Sequence, residues 1–340
     1  MKNFKRFLPP FSLLLPLSGG ILMGLTTAPV EAWSLAWVAL VPLWYSIVRS
    51  QNLRQSALKG FVWGIGYHSL SLFWITGIHP MTWMGVPWLA SLAIAIFCLA
   101  ALTFLGSLLV ATWSTSLYWL SKAPIKQKPQ INAFGRVLLG TALWCGLESF
   151  FSLGPLWWNS LSYTQSPHNL VILHLGQLSG PATVTAAIVA VNGLLAEACL
   201  SYLPSKTHQE IKAKTASIVY LSTAITLLIS LHLIGFILYN RPLIQPATTA
   251  LKVGIIQGNI GNDIKLYTQG KSLALLKYTK GYKQLADMGV DAVLTPEVAL
   301  PFYLDALKQT NFYAAILEKG VVAWVGAYGE QGKSYTNSLF

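Results

Sequence analysis

Asp291–Pro301 reads D-A-V-L-T-P-E-V-A-L-P. The β-branched, apolar start predicts a buried strand, and Pro296 ends it because proline has no N–H to give to a sheet ladder. One acid, Glu297, follows the proline, and Pro301 comes four residues later. A carboxylate on a stiff turn at the end of a buried strand is placed to act as a base. Turn acids also sit there for solubility alone, and a motif this short does not decide between the two.

The surrounding residues supply an α/β context. Upstream, Leu251–Gln257 is a β-branched run closed by Gly258-Asn259, a strand and turn signal. Leu273–Met288 spaces its apolar residues among lysines as an amphipathic helix. Downstream, Leu304–Leu317 predicts a second such helix and Val321–Tyr328 a third strand. Strand, helix, strand, helix, strand implies an α/β layer with neighbouring buried strands. The last residues, S-Y-T-N-S-L-F, read as the start of another strand. Natural ends are usually polar and frayed, so an end on Leu339-Phe340 predicts a chain whose C-terminal part is missing.

The rest is of a different kind. Only 10% of the 340 residues are charged and 54% are hydrophobic, whereas soluble domains are about a quarter charged. The net charge of +12 invites a nucleic-acid reading, but its distribution opposes one. Residues 1–240 hold 13 Lys and Arg against 4 Asp and Glu; residues 241–340 hold 10 against 7. The excess therefore lies in the apolar part, between segments long enough to cross a bilayer. Seven such segments are predicted: a first from Phe7 to Val30, read as an uncleaved helix rather than a leader, then Ala32–Val48, Gly60–Ile78, Pro87–Trp113, Phe134–Phe151, Leu178–Leu203 and Ala216–Tyr239. Basic residues occur at the N-terminus (Lys2, Lys5, Arg6) and in alternate loops: Arg49, Arg54 and Lys59, then Lys122, Lys126, Lys128 and Arg136, then Lys206, Lys212 and Lys214. The remaining loops carry none. By the positive-inside rule the N-terminus is cytoplasmic, and residues after Tyr239 are on the opposite side. The predicted organisation is a membrane bundle over 1–240, a linker over 241–250 stiffened by Pro242 and Pro246, and an α/β domain over 251–340.

Other reactive side chains are scattered. Cys98, Cys145 and Cys199 fit no zinc or disulfide spacing. They read as buried small hydrophobes, and no cysteine follows Cys199. The histidines (His68, His79, His168, His174, His208 and His232) form no metal motif and read as structural. Glu148 and Glu197 lie near the ends of predicted spans. They are open to a functional reading or to simple solvation at a helix end. Leu156–Tyr163, rich in Trp and Tyr, reads as an aromatic belt or as a lipid-contacting floor under the extramembrane domain.

Seven spans, then G-I-I-Q-G-N-I at Gly254–Ile260 and T-P-E-V-A-L-P at Thr295–Pro301, together resemble the apolipoprotein N-acyltransferases. Glu148, the run Gly154-Pro155-Leu156-Trp157-Trp158 and Tyr163-Thr164-Gln165 are similar to that family's stretch between spans five and six. The resemblance implies a multi-pass α-helical membrane bundle followed by an incomplete α/β nitrilase-like domain (an αββα sandwich). The setting it implies is the bacterial inner (plasma) membrane, with that domain on the periplasmic, extracytoplasmic side. It implies acyl transfer from a phospholipid donor to the amino terminus of a diacylglyceryl-cysteine lipoprotein acceptor. It implies no cofactor, no metal and no nucleic-acid partner. The family's triad is Glu, Lys and Cys, and Glu297 matches the Glu as general base. The Lys, the Cys and a final span belong to the part beyond the N-S-L-F stretch. Lys333 precedes that stretch and reads as a turn lysine. The resemblance covers the whole chain but only about the first third of the family's soluble domain, so the chain alone is expected to be inactive. Trp158 and Tyr267 are candidate lipid contacts, Tyr267 lying where the family commonly has a Trp. A non-catalytic membrane scaffold or pseudo-enzyme that binds lipid or lipoprotein is the alternative. A transporter is disfavoured by the lack of paired charges within the spans.

Overall fold

The computed structural model describes residues 11–122, 132–202, 210–242, 250–332 and 334–340. Lys2, Lys5, Arg6, Lys126, Lys128, Lys206, His208, Pro246 and Lys333, and most of the expected linker, lie outside them. The chain forms two compact units, Met1–Ile78 with Ala93–Arg241 and His79–Leu92 with Pro242–Phe340.

The first unit is helical: α1 Phe11–Gly24, α2 Val41–Val48, α3 Leu53–Ser71, α4 Trp88–Lys122 (its first turn in the second unit), α5 Ala133–Phe151, the short α6 Leu170–Leu173 and α7 Gly176–Ser179, α8 Pro181–Tyr202 and α9 Glu210–Tyr239. Among the described residues three helical stretches are long and apolar enough to cross a membrane: Trp88–Lys122, Pro181–Tyr202 and Ala213–Tyr239. The segment expected as a span at Ala32–Val48 is instead a 3-10 turn at Trp33–Trp37 followed by α2. Pro42 sits in the first turn of α2, where its fixed φ and missing N–H suit a helix start and not a helix interior. Likewise α3 stops at Ser71 and a 3-10 stretch, Phe73–Ile78, follows.

Close approach holds this unit together. A Cβ on Gly20 would overlap the Trp63 carbonyl oxygen, so α1 lies backbone to backbone on α3. Small residues permit such contact where lipid removes the hydrophobic drive between helices. The centre is aromatic: Trp44, Trp63 and Trp113 are fully buried, and the Trp113 and Trp144 rings meet edge to face at 4.9 Å. Each indole N–H has an acceptor: Glu197 for Trp44, the Ala39 carbonyl for Trp63, the Gly140 carbonyl for Trp113 and Glu148 for Trp144. An unpaired donor at such a depth costs about 1–3 kcal/mol, so the cluster is built to avoid one.

The second unit contains β1 Val253–Ile255, α10 Asn262–Lys265, α11 Thr268–Asp287, β2 Ala292–Leu294, α12 Leu304–Leu307, α13 Asn311–Lys319, β3 Val322–Trp324, β4 Gly326–Gln331 and β5 Ser334–Leu339. It also takes in His79–Leu92, where the Tyr267 hydroxyl donates to the Trp83 carbonyl at 3.3 Å. β1, β2 and β3 form a parallel sheet in that order, Gly254 opposite Val293 and Val293 opposite Ala323. Gly254 faces Leu285 of α11, and Tyr282 of α11 meets Phe312 of α13 edge to face at 5.7 Å. The opposite face leaves Val253, Ile255 and Val322 exposed, Ile255 at 71%. Parallel sheets are normally covered on both faces.

Two expected elements are divided. The helix over Leu304–Leu317 is two pieces, because the Thr310 hydroxyl caps a new start at Tyr313 N. The strand over Val321–Tyr328 leaves the parallel sheet after Trp324, and its continuation pairs antiparallel with β5. Gly326 makes this possible, since a Cβ there would overlap the Pro296 carbonyl oxygen and lie 2.9 Å from the Val298 nitrogen. Gly326→Ala is therefore expected to push the Thr295–Leu300 turn outward at a cost of about 1–3 kcal/mol. Faster hydrogen exchange at the Leu300 amide, which donates to the Gly326 carbonyl, would report it. Unchanged exchange would contradict this account.

Candidate functional site

Glu297 lies just past the carboxyl end of β2, the middle strand of the parallel sheet. In open α/β sheets, ligands bind outside the carboxyl ends of the strands. The turn that carries Glu297 is fixed from below. The Thr295 amide donates to the Trp324 carbonyl at 3.0 Å, and the Gly326 amide donates to the Thr295 hydroxyl at 3.0 Å. The Ala299 amide then closes onto the Pro296 carbonyl at 3.2 Å, and the Leu300 amide onto the Gly326 carbonyl at 3.1 Å. Val298 adopts φ 47°, a left-handed conformation that is a genuine outlier for a β-branched residue. Such strain persists only where surrounding contacts over-determine it.

The Glu297 side chain is exposed, and its Oε1 accepts a hydrogen bond from Asn337 Nδ2 on β5. Sequence reasoning missed Asn337. Its signal was the strand pattern of the final residues, which implies alternating faces but not which partner a face meets. Beyond Glu297, the Tyr303 and Tyr328 rings meet at a tilt, 5.8 Å apart, and the Tyr328 and Tyr335 rings meet edge to face at 6.1 Å. Burial, helped by the neighbouring Tyr335 and Tyr303, raises Tyr328 above the ordinary phenol range. The loop after β1 is pinned in the same manner. The Lys277 ammonium donates to the Gly258 carbonyl at 3.0 Å, and the Gly258 amide to the Tyr278 hydroxyl at 3.3 Å. Burial raises Tyr278, partly offset by that amide. Tyr267 is exposed, with its hydroxyl engaged by Trp83.

The first unit holds a separate constellation. A cavity of about 440 Å³ is lined by Cys145, Glu148, Trp157, Trp158, Tyr163 and Thr185, among others. Trp158 is 47% exposed, and its ring stands 6.0 Å from that of Trp74. The segment 156–165 is not a simple surface belt, since Asn159, Leu161, Ser162, Thr164 and Gln165 are buried. Asn159 bonds His68 at 2.9 Å and Ser71 at 2.5 Å. Glu197, left open by the sequence, is resolved: Arg136 holds it bidentately, Nε to Oε1 at 2.9 Å and the second guanidinium nitrogen to Oε2 at 2.6 Å. Arg136, expected in a loop, lies in the first turn of α5 as the half-buried partner of Glu197. His168 pairs with Glu31 at 2.7 Å. Among the described residues, no group of three His, Cys, Asp or Glu side chains is placed to hold a metal ion.

Comparison with known proteins bears on both units. The family model described as the apolipoprotein N-acyltransferase N-terminal domain matches residues 19–194. A relative from Nostoc sp., named apolipoprotein N-acyltransferase, is 56% identical over 322 residues, 94% of this chain and 61% of the relative. A Synechocystis sp. relative of the same name is 42% identical over 331 residues, 93% of this chain and 63% of the relative. A third, from Thermosynechococcus vestitus, is 36% identical over 306 residues, 90% of this chain and 55% of the relative. The chain spans about three fifths of the length of the first two.

Proposed function

The chain belongs to the apolipoprotein N-acyltransferase family, and on that premise we propose that it carries the membrane bundle and the base-bearing edge of an enzyme that acylates lipoproteins. The proposed donor is a phospholipid, and the acceptor is the α-amino group of a diacylglyceryl-cysteine. Glu297 is the proposed general base. What supports this is its place: an exposed carboxylate, oriented by Asn337, on a braced and strained turn at the carboxyl edge of a parallel sheet. In the proposed sequence of steps, Glu297 takes the proton of a cysteine thiol. The thiolate attacks the ester carbonyl, a thioester forms, and the lysophospholipid leaves with a proton. The acceptor amine then attacks the thioester, an amide forms, and the thiol returns. Splitting the transfer in this way is what an activated thiol does well.

The second unit is proposed to be the first part of a nitrilase-like sandwich. The exposed Val253, Ile255 and Val322 face is the side on which a second sheet would pack. Arg49 between α2 and α3, Arg54 and Lys59 in the first turns of α3 and Lys122 at the end of α4 support an orientation with those helix ends cytoplasmic and the second unit extracytoplasmic.

Residues 242–340 contain no cysteine, so the 340-residue chain alone is expected to give no acyl transfer. A hybrid continued by the remainder of the Nostoc relative is expected to transfer a labelled acyl chain onto a diacylglyceryl peptide. Turnover by the 340-residue chain would overturn the thiol mechanism. A folded hybrid that binds phospholipid without transferring it would favour a scaffold.

A further inference from the structure

A second cavity of the first unit, about 280 Å³, shares no lining residue with the one beside Glu148. It is lined by Ile47 and Val48 at the end of α2, by Tyr118, Ser121 and Lys122 at the end of α4, and by Arg136 in the first turn of α5. Two ammonium groups converge on Ser50, which is buried. Lys122 Nζ donates to the Ser50 carbonyl at 2.8 Å. Lys59, itself only 5% exposed, donates to Ser50 Oγ at 3.1 Å and to the Ser46 carbonyl at 2.8 Å. These acceptors are neutral, and among the described residues neither lysine forms an ion pair. Arg136 is the third cation, and Glu197 meets it. Three cations against one acid leave the cluster with an excess of positive charge, and such charge is costly where water is scarce unless an anion meets it. An ammonium group has three donors, so Lys122 has more to give than Ser50 takes. On the same wall Ser121 Oγ is buried with no protein partner. Trp119 and Phe134, on the same two helix ends, are exposed, as aromatic rings are where a helix leaves a bilayer.

We propose that this cavity seats a phosphate anion, with Lys122 and Ser121 donating to its oxygens and Lys59 and Arg136 adding to the positive field. Two sources share that chemistry: the headgroup of an anionic lipid in the leaflet that these helix ends meet, and free inorganic phosphate. Basic pockets between membrane helices on the cytoplasmic side hold such headgroups, and the exposed Trp119 and Phe134 favour the lipid. The seated anion neither gives nor takes an acyl group, because the seat lies at the basic helix ends and the reaction is proposed for the Glu297 turn. The site depends neither on Glu297 being a base nor on acyl transfer.

A thiol placed on the cavity wall reports occupancy. In the 340-residue chain carrying Cys98→Ser, Cys145→Ser, Cys199→Ser and Ser121→Cys, position 121 holds the single thiol. Its rate with a neutral maleimide is measured in neutral detergent. Each rate is normalised to that of the chain whose single thiol is Cys199, which is exposed. The lipid probe is dialkyl ether phosphatidylglycerol, which has no ester to give up. Dialkyl ether phosphatidylcholine, whose choline cation cancels the headgroup charge, is its control, and inorganic phosphate is the third arm. Slowing by phosphatidylglycerol and not by phosphatidylcholine supports the site with a lipid source. Slowing by inorganic phosphate supports it with a free source. Both comparisons are made with Lys122 in place and so survive misfolding of a charge variant. Adding Lys122→Gln is expected to raise the half-protecting concentration about fivefold, the worth of one basic residue toward an anionic lipid. Arg54→Gln, at an exposed position in the first turn of α3, is expected to leave it unchanged. Equal slowing by the two lipids, slowing by no probe, or equal effects of Lys122→Gln and Arg54→Gln would overturn the proposal. A thiol at 121 that does not react would show a cavity closed to solutes and overturn it as well.

Discussion

Glu297→Gln in the hybrid enzyme is expected to lower acyl transfer by roughly 10²–10⁴-fold, the usual worth of a positioned general base. The substitution keeps the shape of the side chain and an oxygen able to accept from Asn337 Nδ2. It removes only the capacity to take a proton. Glu297 is exposed and holds no core residue, so the folded state is expected to lose no more than about 0.5 kcal/mol, as for other surface changes. The contrast between a large loss of rate and an unchanged melting temperature is the signature sought. Steady-state transfer and thermal unfolding in the same detergent provide it. A loss of less than about tenfold would remove Glu297 from the role of base. Asn337→Leu is a weaker companion: it frees the carboxylate to wander without removing it, so a smaller loss of rate is expected.

Glu197→Ala is expected to cost about 1–3 kcal/mol of stability, the range for leaving a buried donor without its acceptor. The change removes the bidentate acceptor of the half-buried Arg136 guanidinium and the acceptor of the buried Trp44 indole N–H at once. Trp44 is fully buried against Trp113, so water cannot replace the lost acceptor without opening the aromatic centre. Removing both charges, as Arg136→Met with Glu197→Leu, is expected to recover much of the loss, because apolar replacements of a buried pair are often nearly neutral. Thermal unfolding of both singles and the double gives the coupling. A single-mutant cost under about 1 kcal/mol would mean that the pair behaves as a surface salt bridge. The exposed pairs between α11 and α13, Lys283 with Glu318 and Lys319 with Asp287, are expected to fall in that small class.

Particular elements show where sequence reading stops. The strand at Ala292–Leu294, the amphipathic helix at Thr268–Asp287 and the strand ending at Leu339 were all legible. Their hydrophobic periods are local and each is bounded by a turn signal. The long apolar helices at Pro181–Tyr202 and Glu210–Tyr239 were legible for the same reason. That the segment 32–48 is broken into a 3-10 turn and α2 was not legible, because apolar composition outweighed Pro42, a single residue whose effect is to begin a helix. Leu304–Leu317 was misread as one helix because the periodicity continues across Thr310, whose hydroxyl caps a new start.

The sequence by itself determined that an apolar helical part precedes an α/β part, and that Glu297 follows a buried strand on a proline turn. Only the tertiary structure decided what each acid meets. Glu197 meets Arg136 from 61 positions away, Glu297 meets Asn337 from 40 positions away, and Glu148 meets the neutral donors Trp144, Ser160, Leu161 and Thr185 beside a cavity. The reason is one of range. Hydrophobic period and turn chemistry act over a few residues and are written in order along the chain. The surroundings of a buried charge are set by side chains that the packing of helices and the pairing of strands bring together, and those carry no mark of one another in sequence.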